Sequence, residues 1–185
     1  IIEKPILDKL DDAENLKNIL QEKQVLTYVA CNLRFHPCIL YLKEKIHDEK
    51  LLINEVNIYC GSYLPDWRKG KDFRAFYSAN ANRGGGVHLD LFHELDYTTW
   101  IFGFPVKSSS VLRSVSNLNI NACDYANYIL EYENFTASIV LNYYRRKLKR
   151  QIEVVTEKDT LTIDLVNNNV INDAGVCVYS HDDFI

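Results

Sequence analysis

The sequence predicts an α+β protein with a large open, mostly antiparallel sheet and helices on one face, preceded by a single α/β unit. Three observations carry this. Residues 1–30 read strand, helix, strand. A long loop rich in glycine, aromatic and charged residues follows at 62–86. From about Asn121 onward the pattern turns to short alternating strands separated by turn residues.

Ile1-Ile2 reads as the end of a buried strand, stopped by Pro5, which has no amide hydrogen for a sheet ladder. Asp11 or Asp12 can cap a helix running to about Lys23, with Leu16, Ile19 and Leu20 on one face. Residues 25–30 form a short apolar strand. A second helix follows Pro37, with Ile39, Leu40, Leu42 and Ile46 as its apolar positions, and 54–61 is a strand. In the long loop, Tyr63, Trp67, Phe73, Phe76 and Tyr77 promote order, which points to a functional segment. Gly84-Gly85-Gly86 launches one helix on which Leu91, Leu95, Thr98 and Phe102 share a face. Gly103 closes it and Pro105 prevents its return. Strands are expected at 125–132, 136–144, 151–156, 160–166 and 176–179, with turns at Glu133-Asn134 and Asn167-Asn168-Asn169. The basic stretch 145–150 reads as a solvated hairpin connection.

Composition is that of an ordinary globular chain, 47% hydrophobic and 25% charged. A formal charge of -4 and the lack of a stacked aromatic platform beside the basic stretch argue against nucleic acid as a partner. No apolar run approaches the roughly 20 residues that span a bilayer, so no membrane is expected. The chain opens Ile1-Ile2-Glu3-Lys4 and contains no Met, which reads as an internal segment of a longer protein. The 5 cysteines are odd in number and form no C-x-x-C pair, favouring a reducing compartment, the cytoplasm. There the Asn134-Phe135-Thr136 sequon is chemically idle.

Several segments could carry chemistry. Lys4, in Glu3-Lys4-Pro5 at a strand's carboxyl end, could hold a hydroxyl or carbonyl oxygen, or be a solvated lysine in a turn. Asp90 and His93 are three apart and so can share a helix face, an arrangement that orients a general acid/base. They also fit a helix-start aspartate and a histidine satisfied by a carbonyl. A metal site is not expected, because His88 and His93 are five apart and no Cys or third His lies nearby in sequence. Trp67-Arg68 offers a flat apolar face and an anion-binding fork, or an anchor for the loop.

Taken in order, these pieces resemble the Gfo/Idh/MocA oxidoreductases. The family's Glu-Lys-Pro signature matches Glu3-Lys4-Pro5, and Asn32-Leu33-Arg34-Phe35-His36-Pro37 is similar to the segment leaving its nucleotide domain. The most specific part runs from Gly61 through Trp67-Arg68, Tyr77-Ser78-Ala79 and the triple glycine to Asp90, His93-Glu94-Leu95-Asp96-Tyr97 and Trp100-Ile101-Phe102-Gly103. It is similar to a branch often associated with bacterial surface-polysaccharide sugars. The resemblance implies that residues 1–34 are the tail of an NAD(P)-binding Rossmann domain and 35–185 a C-terminal substrate-binding and oligomerisation domain. It implies NAD or NADP as cofactor and hydride transfer to or from a sugar or nucleotide-sugar substrate. It places Lys4, Asp90 and His93 in catalysis, Glu3, Lys4, Pro5, Trp67 and Arg68 at the cofactor, and Arg34, Asp90 and His93 at the substrate.

The sequence departs from the family pattern in two ways. Many members space the Asp and His four apart, whereas Asp90 and His93 are three apart. No G-x-G-x-x-G can be made from the 7 glycines, and the sequence ends at Phe184-Ile185, short of the family's usual closing helix. The fragment alone is therefore expected to be inactive. The competing expectation is a non-catalytic sugar-binding or assembly domain that kept the fold. A second copy is expected on the open sheet face, as a homodimer or homotetramer, because Val140, Ile129 and Tyr125 stand on the side that the helices leave bare.

Overall fold

The computed structural model describes residues 1–7 and 11–182. The last two residues, Phe184 and Ile185, lie outside the described residues. Helix α1 spans Ala13–Lys23 and α2 spans Pro37–Asp48. Strand β1, Ile53–Tyr63, leads into short 3-10 turns between Leu64 and Arg83. Helices α3, Val87–Asp90, and α4, His93–Phe102, precede seven further strands. These are β2 Lys107–Arg113, β3 Tyr125–Glu131, β4 Thr136–Asn142, β5 Tyr144–Thr156, β6 Thr160–Asp164, β7 Asn169–Ile171 and β8 Cys177–Ser180.

All eight strands join one sheet in the order β2-β3-β4-β1-β5-β6-β7-β8. Among the described strands, only the β1–β4 pair runs parallel. Register explains which face is covered. Val56, Ile58 and Cys60 pair with Ala137, Ile139 and Leu141 on one side, and Val56 and Ile58 pair with Val154 and Ile152 on the other. All of them are buried. The alternate positions, Asn57, Tyr59, Ser138, Val140, Gln151 and Glu153, line a shallow groove of about 290 Å³ on the opposite face.

Two local choices place α2 and α4. The His36 imidazole accepts from the Cys38 amide at 3.2 Å, capping α2 where Pro37 has no amide to offer. Gly103, at φ 82, ends α4 in a conformation that favours glycine.

Four expectations need correction. The single helix after the triple glycine is two, broken at Leu91 (φ −97, ψ 39), where the carbonyl of Asp90 accepts from Lys4. The segment 145–150 is not a hairpin connection but part of the 13-residue strand β5. Residues 25–30 form no ladder; Ile2 and Val29 make one isolated parallel bridge, and Val25, Leu26 and Tyr28 are exposed. Asp12 stands at the start of α1, yet its side chain makes no capping bond. Strand β2 was not anticipated, because every residue in it is exposed and its sequence is polar for five of seven positions.

Candidate functional site

The chain leaves β4 at Asn142 and enters β5 at Tyr144, on the far side of β1. The crossing is made by one residue, Tyr143, over the carboxyl end of β1. Its carbonyl accepts from the Leu64 amide at 2.9 Å and its amide donates to Asp124 at 3.0 Å. Its side chain is fully buried, and the hydroxyl donates to Asp90 Oδ2 at 2.5 Å. Burial first, and then the neighbouring Asp90 carboxylate, push the Tyr143 phenol far above its ordinary range. Burial, and then the Asp90 carboxylate, raise Tyr77 as well.

Lys4 reaches α3 from the other end of the chain and donates to the main-chain oxygen of Asp90. Burial lowers its pKa, while Asp90 and Glu94 oppose that drop. His93 opens α4, one short loop beyond Asp90. Burial, and then the positive charges of Lys4 and Arg150, pull its pKa down from 6.5 to about 4. Its Nδ1 is buried and has no hydrogen-bond partner among the described residues. Lys4, Asp90 and His93 are therefore brought together, although Asp90 and His93 flank a helix break rather than share one face.

Two ion pairs tie α4 into this cluster. Glu94 is fully buried and takes Arg150 in a two-point bond, 2.6 Å to Nε and 3.2 Å to NH2. Burial works against the Arg150 charge, but Glu94 overrides it and raises the pKa. Two residues on, Asp96 takes Arg34 in the same fashion, at 2.8 and 2.6 Å. Arg34 also lies over Trp100, 5.7 Å from the ring centre. Two of its three nitrogens are thus committed within the protein.

Trp67 and Arg68 part company. The indole packs edge-on against Tyr143 at 5.4 Å and donates to Ser62 at 2.9 Å, whereas the Arg68 guanidinium stacks over Phe76 at 4.3 Å. Glu3 is exposed and Pro5 follows Lys4 through a cis peptide. Trp67, Leu91, Arg146, Leu148 and Arg150 help line a cavity of about 590 Å³ beside the cluster.

The triple glycine holds the loop against the helix. A Cβ on Gly85 would lie 2.0 Å from the Tyr77 carbonyl oxygen, so no side chain fits there. His88 lies just beyond, its Nδ1 3.0 Å from Cys123 Sγ. No group of three or more His, Cys, Asp or Glu side chains among the described residues could hold a metal ion.

The family model of the GFO/IDH/MocA C-terminal domain matches residues 42–162. The chain belongs to this family. It is similar to the scyllo-inositol 2-dehydrogenase (NADP(+)) IolW of Bacillus subtilis (strain 168), 28% identical over 138 residues that make up 74% of this chain and 37% of IolW. Among solved structures it resembles the WlbA dehydrogenase of Bordetella pertussis in complex with NADH and UDP-GlcNAcA. That match has TM-score 0.75 and 18% identity, over 88% of this chain and 50% of WlbA. It also resembles an inositol dehydrogenase homolog of Azotobacter vinelandii complexed with NAD+, at TM-score 0.78 and 18% identity over 97% of this chain and 51% of the homolog. The chain spans little more than a third of IolW and about half of these two structures.

The sequence assigned no site role to Tyr77, Tyr143, Glu94 or Arg150, although Tyr77 and Glu94 stand in the motifs that carry the resemblance. The covariate that could have flagged Glu94 is its place beside His93 on a helix start; nothing local marks Arg150, 56 positions away.

Proposed function

We propose that the whole protein is an NAD(P)-dependent oxidoreductase that moves hydride between the cofactor and a sugar or nucleotide-sugar hydroxyl or carbonyl. The observation that carries this reading is the convergence of Lys4, Asp90 and His93, with the buried Nδ1 of His93 left without a partner. An orphaned polar atom beside a partly desolvated lysine fits an incoming hydroxyl. On this reading, residues 1–34 end the nucleotide domain, and Glu3, Lys4, Pro5, Trp67 and Arg68 face the cofactor. When bound, the nicotinamide ring supplies a hydride acceptor or donor at the reacting carbon.

The chain's own residues manage the proton and the orientation. His93 is neutral at physiological pH, because its pKa sits near 4, and takes the hydroxyl proton without first having to lose one. The Lys4 ammonium donates to the same oxygen and offsets its developing charge. Asp90, held by Tyr143, keeps α3 in register with Lys4 and presents its remaining acceptor positions to the substrate. Arg34 has one uncommitted nitrogen for a substrate oxygen. The free cysteines suit a reducing, cytoplasmic setting, and no helix among the described residues is long and apolar enough to cross a membrane.

In the full-length protein, His93→Ala should lower kcat by about two to four orders of magnitude, the range of a general acid/base. Lys4→Ala should do the same and weaken cofactor binding more. Normal turnover of His93→Ala across the pH range sinks the assignment. The acid limb of the kcat profile should lie nearer 4 than 6.5.

A second copy is placed on the open sheet face, where Tyr59 and Val140 rise among Asn57, Ser138 and Gln151. Light scattering should give a multiple of two times the protomer mass, and Val140→Lys should reduce it to the protomer.

A further inference from the structure

The basic stretch of β5 sorts into two sets. Cys60 pairs with Arg150 and Gly61 with Lys149, after which the register shifts and Tyr63 pairs with Tyr144, so the contacts of each side chain decide its face. On the open face, Arg145 and Lys149 lie over the Tyr59 ring, both at 5.1 Å. On the covered side, Arg146, Leu148 and Arg150 line the 590 Å³ cavity together with Tyr63, Asp66, Trp67 and Leu91.

The two cavity arginines differ in what they have left to offer. Arg150, the inner one, is neutralised by the buried Glu94. Arg146, the outer one, has no carboxylate partner among the described residues, and its guanidinium is laid flat on Tyr63 at 3.7 Å. Stacking of this kind fixes the plane of the fork while leaving its edge free to bind two oxygens of an anion. The inner end of the cavity meets the catalytic cluster, since Leu91 follows Asp90 and Arg150 holds the residue after His93. The arginines are four positions apart in sequence, at most roughly 13 Å at 3.3 Å per residue. That is room for a sugar ring at the inner end with a phosphate at the outer. The volume lies within the range of small-ligand sites. Asp66, the one carboxylate in the wall, suits the hydroxyls of a sugar or ribose.

We propose that this cavity is the anion subsite for the diphosphate of a nucleoside-diphosphate sugar, with Arg146 as the residue that binds it and thereby selects such substrates over neutral polyols. The proposal rests on the hydride-transfer reading for the position of the reacting sugar, but not for the binding itself. A neutral polyol leaves the Arg146 fork without a counter-ion and the outer half of the cavity to water. A diphosphate answers both.

The test is calorimetric titration of UDP into the full-length protein with excess NADH and NADPH present, so that the cofactor site is occupied. UDP should bind at least tenfold more tightly than uridine. Arg146→Gln should weaken UDP about tenfold or more, the loss expected for one charge-assisted contact. Lys147→Gln, an exposed cation on the neighbouring position, should bind UDP as the unaltered protein does, and thermal melts should show both variants folded. Equal binding of UDP and uridine, or Arg146→Gln binding UDP unchanged, overturns the proposal. Oxidation of a polyol with no affinity for UDP overturns it and leaves the hydride-transfer reading standing. UDP binding that depends on Arg146, with no NAD(P)H formed from any sugar, supports the subsite and overturns that reading.

Discussion

The first 31 residues and the sheet that follows obey different rules, although one chain forms both. In the sheet, apolar residues find partners within the chain: Val56, Ile139, Ile152 and Ile163 are buried to 2% exposure or less. In α1 no residue is buried, Ile19 stays 45% exposed, and the neighbouring Val25, Leu26 and Tyr28 are exposed as well. The amphipathic pattern is equally plain in both. Pattern states which face seeks cover, and only tertiary contacts supply the cover. What joins the two regions is chemical: Lys4 donates to the main-chain oxygen of Asp90. The front segment therefore meets the sheet domain at the very residues proposed to react.

Several measurements would break or sharpen this contrast. The largest effect is expected where burial is most complete. Glu94→Ala leaves Arg150 charged and without its partner, and should cost about 3–5 kcal/mol in denaturant unfolding. A loss under 1 kcal/mol would show that water reaches the pair. Tyr143→Phe removes one bond to a buried carboxylate and should cost about 1–3 kcal/mol, with Asp90 the group left short.

Acid should also weaken the sheet side. His93 binds its proton near pH 6.5 when unfolded and near 4 when folded, so between those values the unfolded state holds more protons. The His93 contribution is therefore whole above about 6.5, declines as pH falls toward 4, and is constant below. In His93→Gln that part of the pH dependence should vanish. Direct titration of the ring by NMR checks the folded value.

The smallest effects belong to the front. Ile19→Lys should change stability by no more than about 0.5 kcal/mol, as for an exposed site with no partner. Amide exchange should be fast through α1 and slowest in β1 and β4. Slow exchange in α1 would show that its apolar face is covered after all.

Much of the fold was legible because the residues that make it are alternating and apolar. Ala137, Ile139 and Leu141 announce β4, and all three are fully buried. Strand β2 was hidden because Lys107-Ser108-Ser109-Ser110 carries no apolar alternation; it pairs with β3 through its backbone and a Lys107–Glu131 ion pair, at the sheet's edge. The first half of β5 was hidden by its charges, since a run of arginine and lysine gives no sign that alternate members point to opposite faces. The helix break at Leu91 was invisible for another reason. No glycine or proline marks it, and it falls where a lysine 86 positions away takes the Asp90 carbonyl. In the site, Lys4, Asp90 and His93 were legible as motif residues. Tyr143 and Arg150 were not, because their meaning lies in a crossing of strands that no local pattern encodes.

That crossing has a consequence for how the molecule is assembled. Strand β1 is made first, yet it lies in the middle of the sheet, between β4 and β5. Neither neighbour exists until the chain from Leu64 to Phe135 has been synthesised. Throughout that interval a long strand with one apolar face waits with both edges open, the kind of edge that pairs with other chains. Its two ladders are also non-local, which puts this domain among slow folders. Tyr143 lies over the end of β1 between the two ladders, so the pocket around Asp90 is not complete before β4 and β5 have been made. A chain arrested before Tyr143 would carry most of the residues of the site and none of its shape.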